Sequence, residues 1–276
     1  MNPVQKALWY VESHSRMPIT LEQVAIASDV SPYYLTRAFS TIFGISLMRY
    51  VRQRRLSEAA KQLAFGVADI LSLALDHGYG SHEAFSRAFK QEFQLTPGYV
   101  RSQGHVNNLT LTKAFAMTTT PTPKLQKPRI ESLSQKRMIG ILDRYDCKSP
   151  AGIPDQWQRF QQYLGDISGQ VGQDAYGICF NFDEDSKFDY LTGVETSEKG
   201  IVPFGLLYMN LPSQKYAVFA HGGHIAEIRA VIAAIWSAGL PESGLEAAQG
   251  PTLEKYGSGF DPETGLGGYE IWVAVK

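Results

Sequence analysis

Two stretches of the sequence carry the same reactive pattern. Tyr33, Thr36 and Arg37 in "SPYYLTRAFSTIFG" stand fifty residues before Glu83, Ser86 and Arg87 in "SHEAFSRAFKQEFQ", and Ala38/Ala88, Phe39/Phe89 and Phe43/Phe93 keep the same register. A repeat of this kind means one structural unit used twice. The residue types suit base-edge recognition. Arginine matches guanine O6 and N7 with two N–H groups, Thr, Ser and Tyr reach base edges or methyl groups, and Glu83 can accept from cytosine N4. His82 is a neighbour in the same pattern. The competing explanation is a solvated outer face, which every amphipathic helix possesses. Between the copies, Arg49, Arg52, Arg54 and Arg55 crowd one short segment. Phosphates are a natural sink for such guanidiniums, and a solvated face is again the alternative.

The elements that must position these groups are short helices. Leu35, Ala38, Phe39, Ile42 and Phe43 share one helical face and are expected in a core, with Tyr33, Thr36, Arg37 and Ser40 opposite. Ser31 suits an N-cap, Pro32 the first turn and Gly44 the stop. The preceding "ITLEQVAIAS" is a second compact helix, so the pair reads as a helix-turn-helix, a geometry that lays its second helix in the DNA major groove. Residues 2–14 form an opening helix, and "SLMRYVRQRRLSEAAKQLAFG" forms a long rod. A second pair follows, with Ser81 as cap, Phe85, Ala88, Phe89 and Phe93 inward, and His82, Glu83, Ser86 and Arg87 outward.

A chain of 276 residues most naturally holds two domains. Residues 1–127 carry 14 Lys+Arg against 8 Asp+Glu, whereas residues 128–276 carry 12 against 19, so the halves suit different partners. Two cysteines, Cys147 and Cys179, are too few for a disulfide framework. No secretory pattern opens the chain, and "IRAVIAAIWSAGL" is too short and too charged, at Arg229, for the roughly 20 residues of a bilayer span. These features read as a soluble cytoplasmic protein without a membrane partner. His221 and His224 in "HGGH" lack a third ligand for a metal, "DEDSKFD" lacks the glycine and closing glutamate of a calcium loop, and no P-loop, dinucleotide or nucleophile-elbow motif occurs. No cofactor, metal or catalytic residue is expected.

The stretches "LEQVAIASDVSPYYLTRAFSTIFGIS" and "LALDHGYGSHEAFSRAFKQEFQLTPGYVR", with the rod between them, resemble the AraC/XylS transcription regulators over about residues 5–103. The resemblance implies seven helices bearing two helix-turn-helix units, a DNA-binding domain over 1–103, and entry into successive major grooves about 34 Å apart. It carries base reading to Tyr33, Thr36, Arg37, Glu83, Ser86 and Arg87. Glu83 departs from the pattern, since relatives often place an uncharged residue there. Double-stranded DNA, a small-molecule effector and RNA polymerase are the partners implied.

Residues 104–127 lose periodicity and collect Thr, Pro and Lys, as a linker does. Beyond them, "RMIGILDRYDC", "IPDQWQRFQQYLGDIS", "YGICFNF" and "KFDYLTGVET" read as strand, helix, strand, strand. "QKYAVFAHGG", "HIAEIRAVIAAIWSAG", "PTLEKYG" and "YEIWVAVK" repeat that order. The segments "WQRF", "YGICF", "FDYLTGVE", "LPSQKYAVFAHGGHIAEI" and "PTLEKY" resemble the GyrI-like effector-binding domain over residues 128–276. The fold expected is multidomain: an all-α N-terminal domain, then an α+β domain of two pseudo-twofold halves around a small-molecule cleft. By resemblance, Glu254 is the acidic residue that engages cationic or amphipathic ligands, in the manner of a multidrug-binding cup. Trp157, Tyr176, Phe219, Trp236 and Tyr256 are the aromatic candidates for its walls. Two alternatives remain for this half: a small-molecule hydrolase with Glu254 as general base, and a protein-binding module.

Overall fold

A computed structural model of the chain describes residues 2–14, 17–66, 69–115, 123–183, 185–197 and 201–276. The helical part opens with α1 (Pro3–His14), which buries Val4, Ala7, Leu8 and Val11. α2 (Leu21–Ala27) begins with a reciprocal cap. The Gln23 amide donates to the Thr20 hydroxyl, and the Thr20 amide donates to the Gln23 side chain. α3 (Pro32–Phe43) ends at Gly44, in the left-handed region at φ +71°. α4 (Leu47–Ala64), α5 (Ile70–Asp76) and α6 (His82–Phe93) start at the side-chain caps Ser46, Asp69 and Ser81, and α7 (Pro97–Gln103) starts at Thr96. Leu56, Ala60 and Leu63 of α4, Leu73 of α5, Phe85 and Phe89 of α6 and Val100 of α7 make one core.

Chain contacts sort these elements into two compact units. The first holds α1, α2 and α4 to α7; the second holds α3 together with the strands and helices that follow the expected linker. The early part of that linker packs on the first unit. Val106, Leu109 and Leu111 lie on its core, and Phe115 stacks on Tyr50 at 4.5 Å. Residues 116–122 of the expected linker lie outside the described residues. Arg54, one of the clustered arginines, is a buttress here: it bonds Glu12 at 2.8 Å, Glu58 at 3.1 Å and the Thr112 carbonyl at 3.0 Å.

In the second unit the chain runs β1 (Arg129–Leu133), β2 (Lys136–Asp146), α8 (Ile153–Gln161), β3 (Gln170–Phe180), β4 (Lys187–Thr196), β5 (Leu207–Leu211) and β6 (Gln214–His221). A helical stretch follows: a 3-10 turn (Ile225–Glu227), α9 (Ile228–Ala234), a π turn (Ile235–Gly239) and α10 (Leu240–Ser243). β7 (Thr252–Tyr256) and β8 (Tyr269–Ala274) close the unit. The strands form one antiparallel sheet in the order β1-β6-β8-β7-β3-β4-β2-β5. The order is symmetric about the β7/β3 junction, as two strand-helix-strand-strand halves related by a pseudo-twofold require. β1 and β5 were not expected from the sequence. Each is five residues long and lies at a sheet edge, pairing with the first long strand of the opposite half. α8 is shorter than its pattern suggests: it stops at Gln161, Leu164 is exposed, and Gly165 turns the chain at φ +87°.

Strand alternation divides the sheet. Tyr176, Ile178, Leu191, Leu253 and Trp272 form a core on one face. Phe219, Ile271, Glu254, Gly177, Thr192 and Ile141 stand in register across the other. On that second face Phe160 of α8 packs with Ile139 and Val194.

Candidate functional site

Glu254 lies in the middle of β7, opposite Gly177 of β3, and is 7 % exposed. Its Oε2 accepts a hydrogen bond from Tyr190 Oη at 2.5 Å and another from Tyr256 Oη at 3.0 Å. The Tyr190 hydroxyl in turn accepts from Trp157 Nε1 at 3.0 Å, and the Trp157 and Tyr256 rings meet edge-to-face at 4.9 Å. Gly177 makes the cluster possible, because a Cβ there would collide with Tyr190 Oη and come within 2.6 Å of Glu254 Oε2. Gln156 seats α8 on this face. Its amide donates to the carbonyls of Ile141 and Tyr190 while its oxygen accepts from Tyr145 Oη.

The electrostatics are those of a carboxyl group short of a counter-charge. Burial pushes the Glu254 pKa up, and the tyrosine hydroxyls, which bond the ionised form, pull it partly back. Among the described residues, no Lys, Arg or His pairs with it. A buried carboxylate is costly unless paired, so a cation brought to this carboxyl, with ring faces close by, would stabilise its ionised form.

Of the aromatic residues expected from the sequence, Trp157 and Tyr256 are brought to Glu254. Tyr176 is not: one position from Gly177, it points to the opposite face and joins Met138 and Trp272 in the core there. Phe219 shares the face of Glu254 two strands away and is buried near Gly239. Trp236, on the π turn, is fully buried beside α3, its ring 5.8 Å from that of Tyr34. Tyr190, Gln156 and Gly177 were missed. The alternation in "FDYLTGVE" was the available signal, since it puts Phe188, Tyr190 and Thr192 on one side of a strand.

The residues expected at DNA divide between the two units. In the first, Arg52 is exposed, Arg49 is half-buried, and Arg55 is half-buried with its guanidinium donating to the Met17 carbonyl. His82, Glu83 and Arg87 are exposed along α6 and Ser86 is half-buried, while Phe85 and Phe89 turn inward. In the second unit, Tyr33 and Thr36 are half-buried. Arg37 and Ser40, expected on an outward face, are each 5 % exposed. The physical cause is that α3 lies against the same unit as the sheet, so its polar face is covered. The Arg37 guanidinium carbon sits 3.1 Å from the ring centre of Phe182 and 5.5 Å from that of Trp236, and Nη2 donates to Thr252 Oγ1 at 3.2 Å.

The histidines of "HGGH" have local partners. His221 Nε2 meets Glu227 at 2.8 Å, and His224 Nδ1 accepts from the Ala226 amide. In "DEDSKFD", Asp183 pairs with Arg144 at 2.6 Å; Glu184 lies outside the described residues. No helix among the described residues is long and apolar enough to cross a membrane.

Residues 126–276 match the family described as the GyrI-like small molecule binding domain, and residues 24–103 match a helix-turn-helix domain family. The chain is 23 % identical over 270 residues to the transcriptional regulator Rob of Salmonella typhimurium, covering 95 % of this chain and 92 % of that protein. It is 24 % identical over 273 residues to the right origin-binding protein of Escherichia coli, with the same coverages. The regulatory protein SoxS of Salmonella typhimurium is 38 % identical over 98 residues, which span 36 % of this chain and 92 % of SoxS.

Proposed function

The chain belongs to the GyrI-like small-molecule-binding family through its second half and to the AraC-type regulators through its first, and from that membership we propose which ligand it senses and with which residues. It is a DNA-binding transcription regulator carrying a GyrI-like effector domain. The effector in our reading is a small cation with apolar surface, and Glu254 is its counter-ion, supported by Tyr190 and Tyr256 and walled by Trp157. The observation that carries this is the buried Glu254 carboxyl, bonded among the described residues by two hydroxyls and by no cationic side chain.

On the DNA side we assign base reading to Tyr33, Thr36 and Arg37 and to His82, Glu83, Ser86 and Arg87, and phosphate contact to Arg49, Arg52 and Arg55. This gives a DNA-binding part over 1–103, a linker over 104–127 and an effector part over 128–276, acting in the cytoplasm with RNA polymerase as downstream partner. Glu254 serves binding rather than catalysis in this reading.

The test compares two dyes of one scaffold, cationic rhodamine 6G and anionic fluorescein, on the full chain and on Glu254→Gln. The wild type should prefer rhodamine 6G, and the substitution should weaken it at least tenfold without altering the melting temperature by more than a few degrees. Its affinity should also rise with pH as the carboxyl ionises, and this dependence should vanish in Glu254→Gln. Equal affinities for the two dyes, or an unchanged rhodamine affinity in the variant, would remove Glu254 from the ligand site.

A further inference from the structure

The Arg37 guanidinium occupies a cation cage. It lies over Phe182, near Trp236, hydrogen-bonded to Thr252 and beside the Tyr33 hydroxyl. Thr252 and Glu254 stand two residues apart on β7 and therefore on one face of the sheet. Cys179, opposite Thr252 in register, feels both the Glu254 carboxylate and the Arg37 charge. The arginine is thus held at Thr252, on the face of β7 that also carries Glu254, without forming an ion pair with that carboxyl. We propose that Arg37 is a tethered occupant of the effector site, holding α3 on the second unit until a cationic effector takes its place and frees the helix to read DNA. The proposal rests on the effector reading above and adds its regulation.

Both ends of α3 are seated for this role. At the start, Tyr33 Oη donates to the Gly250 carbonyl at 3.3 Å and Tyr34 Oη donates to the Trp236 carbonyl. At the end, Gly44 approaches the backbone of Lys148 so closely that a Cβ would lie 2.8 Å from its Cα. The equivalent repeat position, Gln94, holds the same left-handed conformation at φ +59° with a full side chain. Backbone conformation alone therefore does not demand glycine at 44; the close approach to Lys148 does.

The clamp is also built to be displaced. Among the described residues, Arg37 Nε and Nη1 and Trp236 Nε1 are buried with no acceptor. A guanidinium out of water needs most of its five N–H groups satisfied, and DNA phosphates or a guanine edge satisfy them better than the hydroxyls of Thr252 and Tyr33. A cation that fits the rings and reaches Glu254 has the advantage over one that does not.

The test uses the full chain and a duplex selected from a random pool by the wild type in the presence of rhodamine 6G. Thr252→Val removes the hydroxyl at constant shape, and Phe182→Leu removes the ring. Without dye, each should bind the duplex about tenfold or more tightly than wild type, the scale of one hydrogen bond to a charged group for Thr252→Val and of one desolvated cation–ring contact for Phe182→Leu. Arg37→Ala should bind rhodamine 6G more tightly than wild type, because the internal competitor is gone. If both variants fold and bind the duplex like wild type without dye, the clamp is refuted whatever the dye does. If Arg37→Ala leaves dye affinity unchanged while Glu254→Gln still weakens it, Arg37 is not an occupant of that site. Should Glu254→Gln alone have no effect, the effector reading fails, and the dye-free duplex titrations still decide the clamp.

Discussion

Replacing Tyr190 by Phe keeps the ring and deletes one oxygen that makes two hydrogen bonds. The first, to Glu254 at 2.5 Å, is short and assisted by charge when the carboxyl is ionised, worth about 1.5–3 kcal/mol. The second leaves Trp157 Nε1 without its acceptor at 3.0 Å, and because Trp157 is half-buried this costs at most about 1 kcal/mol. The expected destabilisation is therefore about 2–4 kcal/mol at pH 8. For a unit of this size it lowers the melting temperature by roughly 5–15 °C. The sign with pH follows from the raised pKa of Glu254. A carboxyl whose folded pKa lies above its unfolded value adds stability that is full below the unfolded pKa and is lost as pH rises through the folded one. Tyr190 bonds the ionised form and opposes that loss, so the gap between wild type and Tyr190→Phe should be widest at pH 8 and narrow toward pH 4.5. Tyr256→Phe, which loses a longer bond of 3.0 Å, should cost less. Scanning calorimetry of the three proteins across this range is the assay. A Tyr190→Phe melt equal to wild type at pH 8, or a larger loss in Tyr256→Phe, would refute the hydrogen-bonded carboxylate.

Gly177→Ala should destabilise the second unit by about 1–3 kcal/mol through overpacking against Tyr190 and Glu254, and should weaken rhodamine 6G as well; an unperturbed melt would mean the strand shifts freely. On the DNA side, Arg52→Ala should weaken all duplexes alike and reduce the salt slope of binding by about 1. Arg87→Ala should instead cost about 1–3 kcal/mol on the selected site and relax the preference at one position. Binding titrations from 50 to 200 mM salt on selected and random duplexes separate the two, and identical profiles would cancel the distinction.

Local pattern was enough for the architecture. The periodicities of Leu35, Ala38 and Phe39 and of Phe85 and Phe89, with Ser81 as cap and Gly44 as stop, encode helices whose boundaries depend on neighbours within four residues. The strand-helix-strand-strand order of the second half was legible for the same reason, because alternation and helical spacing are properties of a few consecutive side chains. β1 and β5 were not, since five-residue edge strands draw their stability from a partner far away in sequence.

The carboxyl cluster depends on register, which decides that Glu254 faces Gly177 and that Tyr190 reaches over it, whereas Tyr176 turns to the other core. Sequence alone could nominate Glu254 and several aromatic residues, but choosing among them requires knowing on which side of the sheet each one emerges, and a shift of one residue reverses that answer. Arg37 marks the limit most sharply. Its sequence places it on the polar face of a short helix, a local property read correctly from spacing. Whether that face meets water, DNA or another part of the same chain is settled by burial against residues far along the chain, Phe182, Trp236 and Thr252 among them, and no local pattern encodes that.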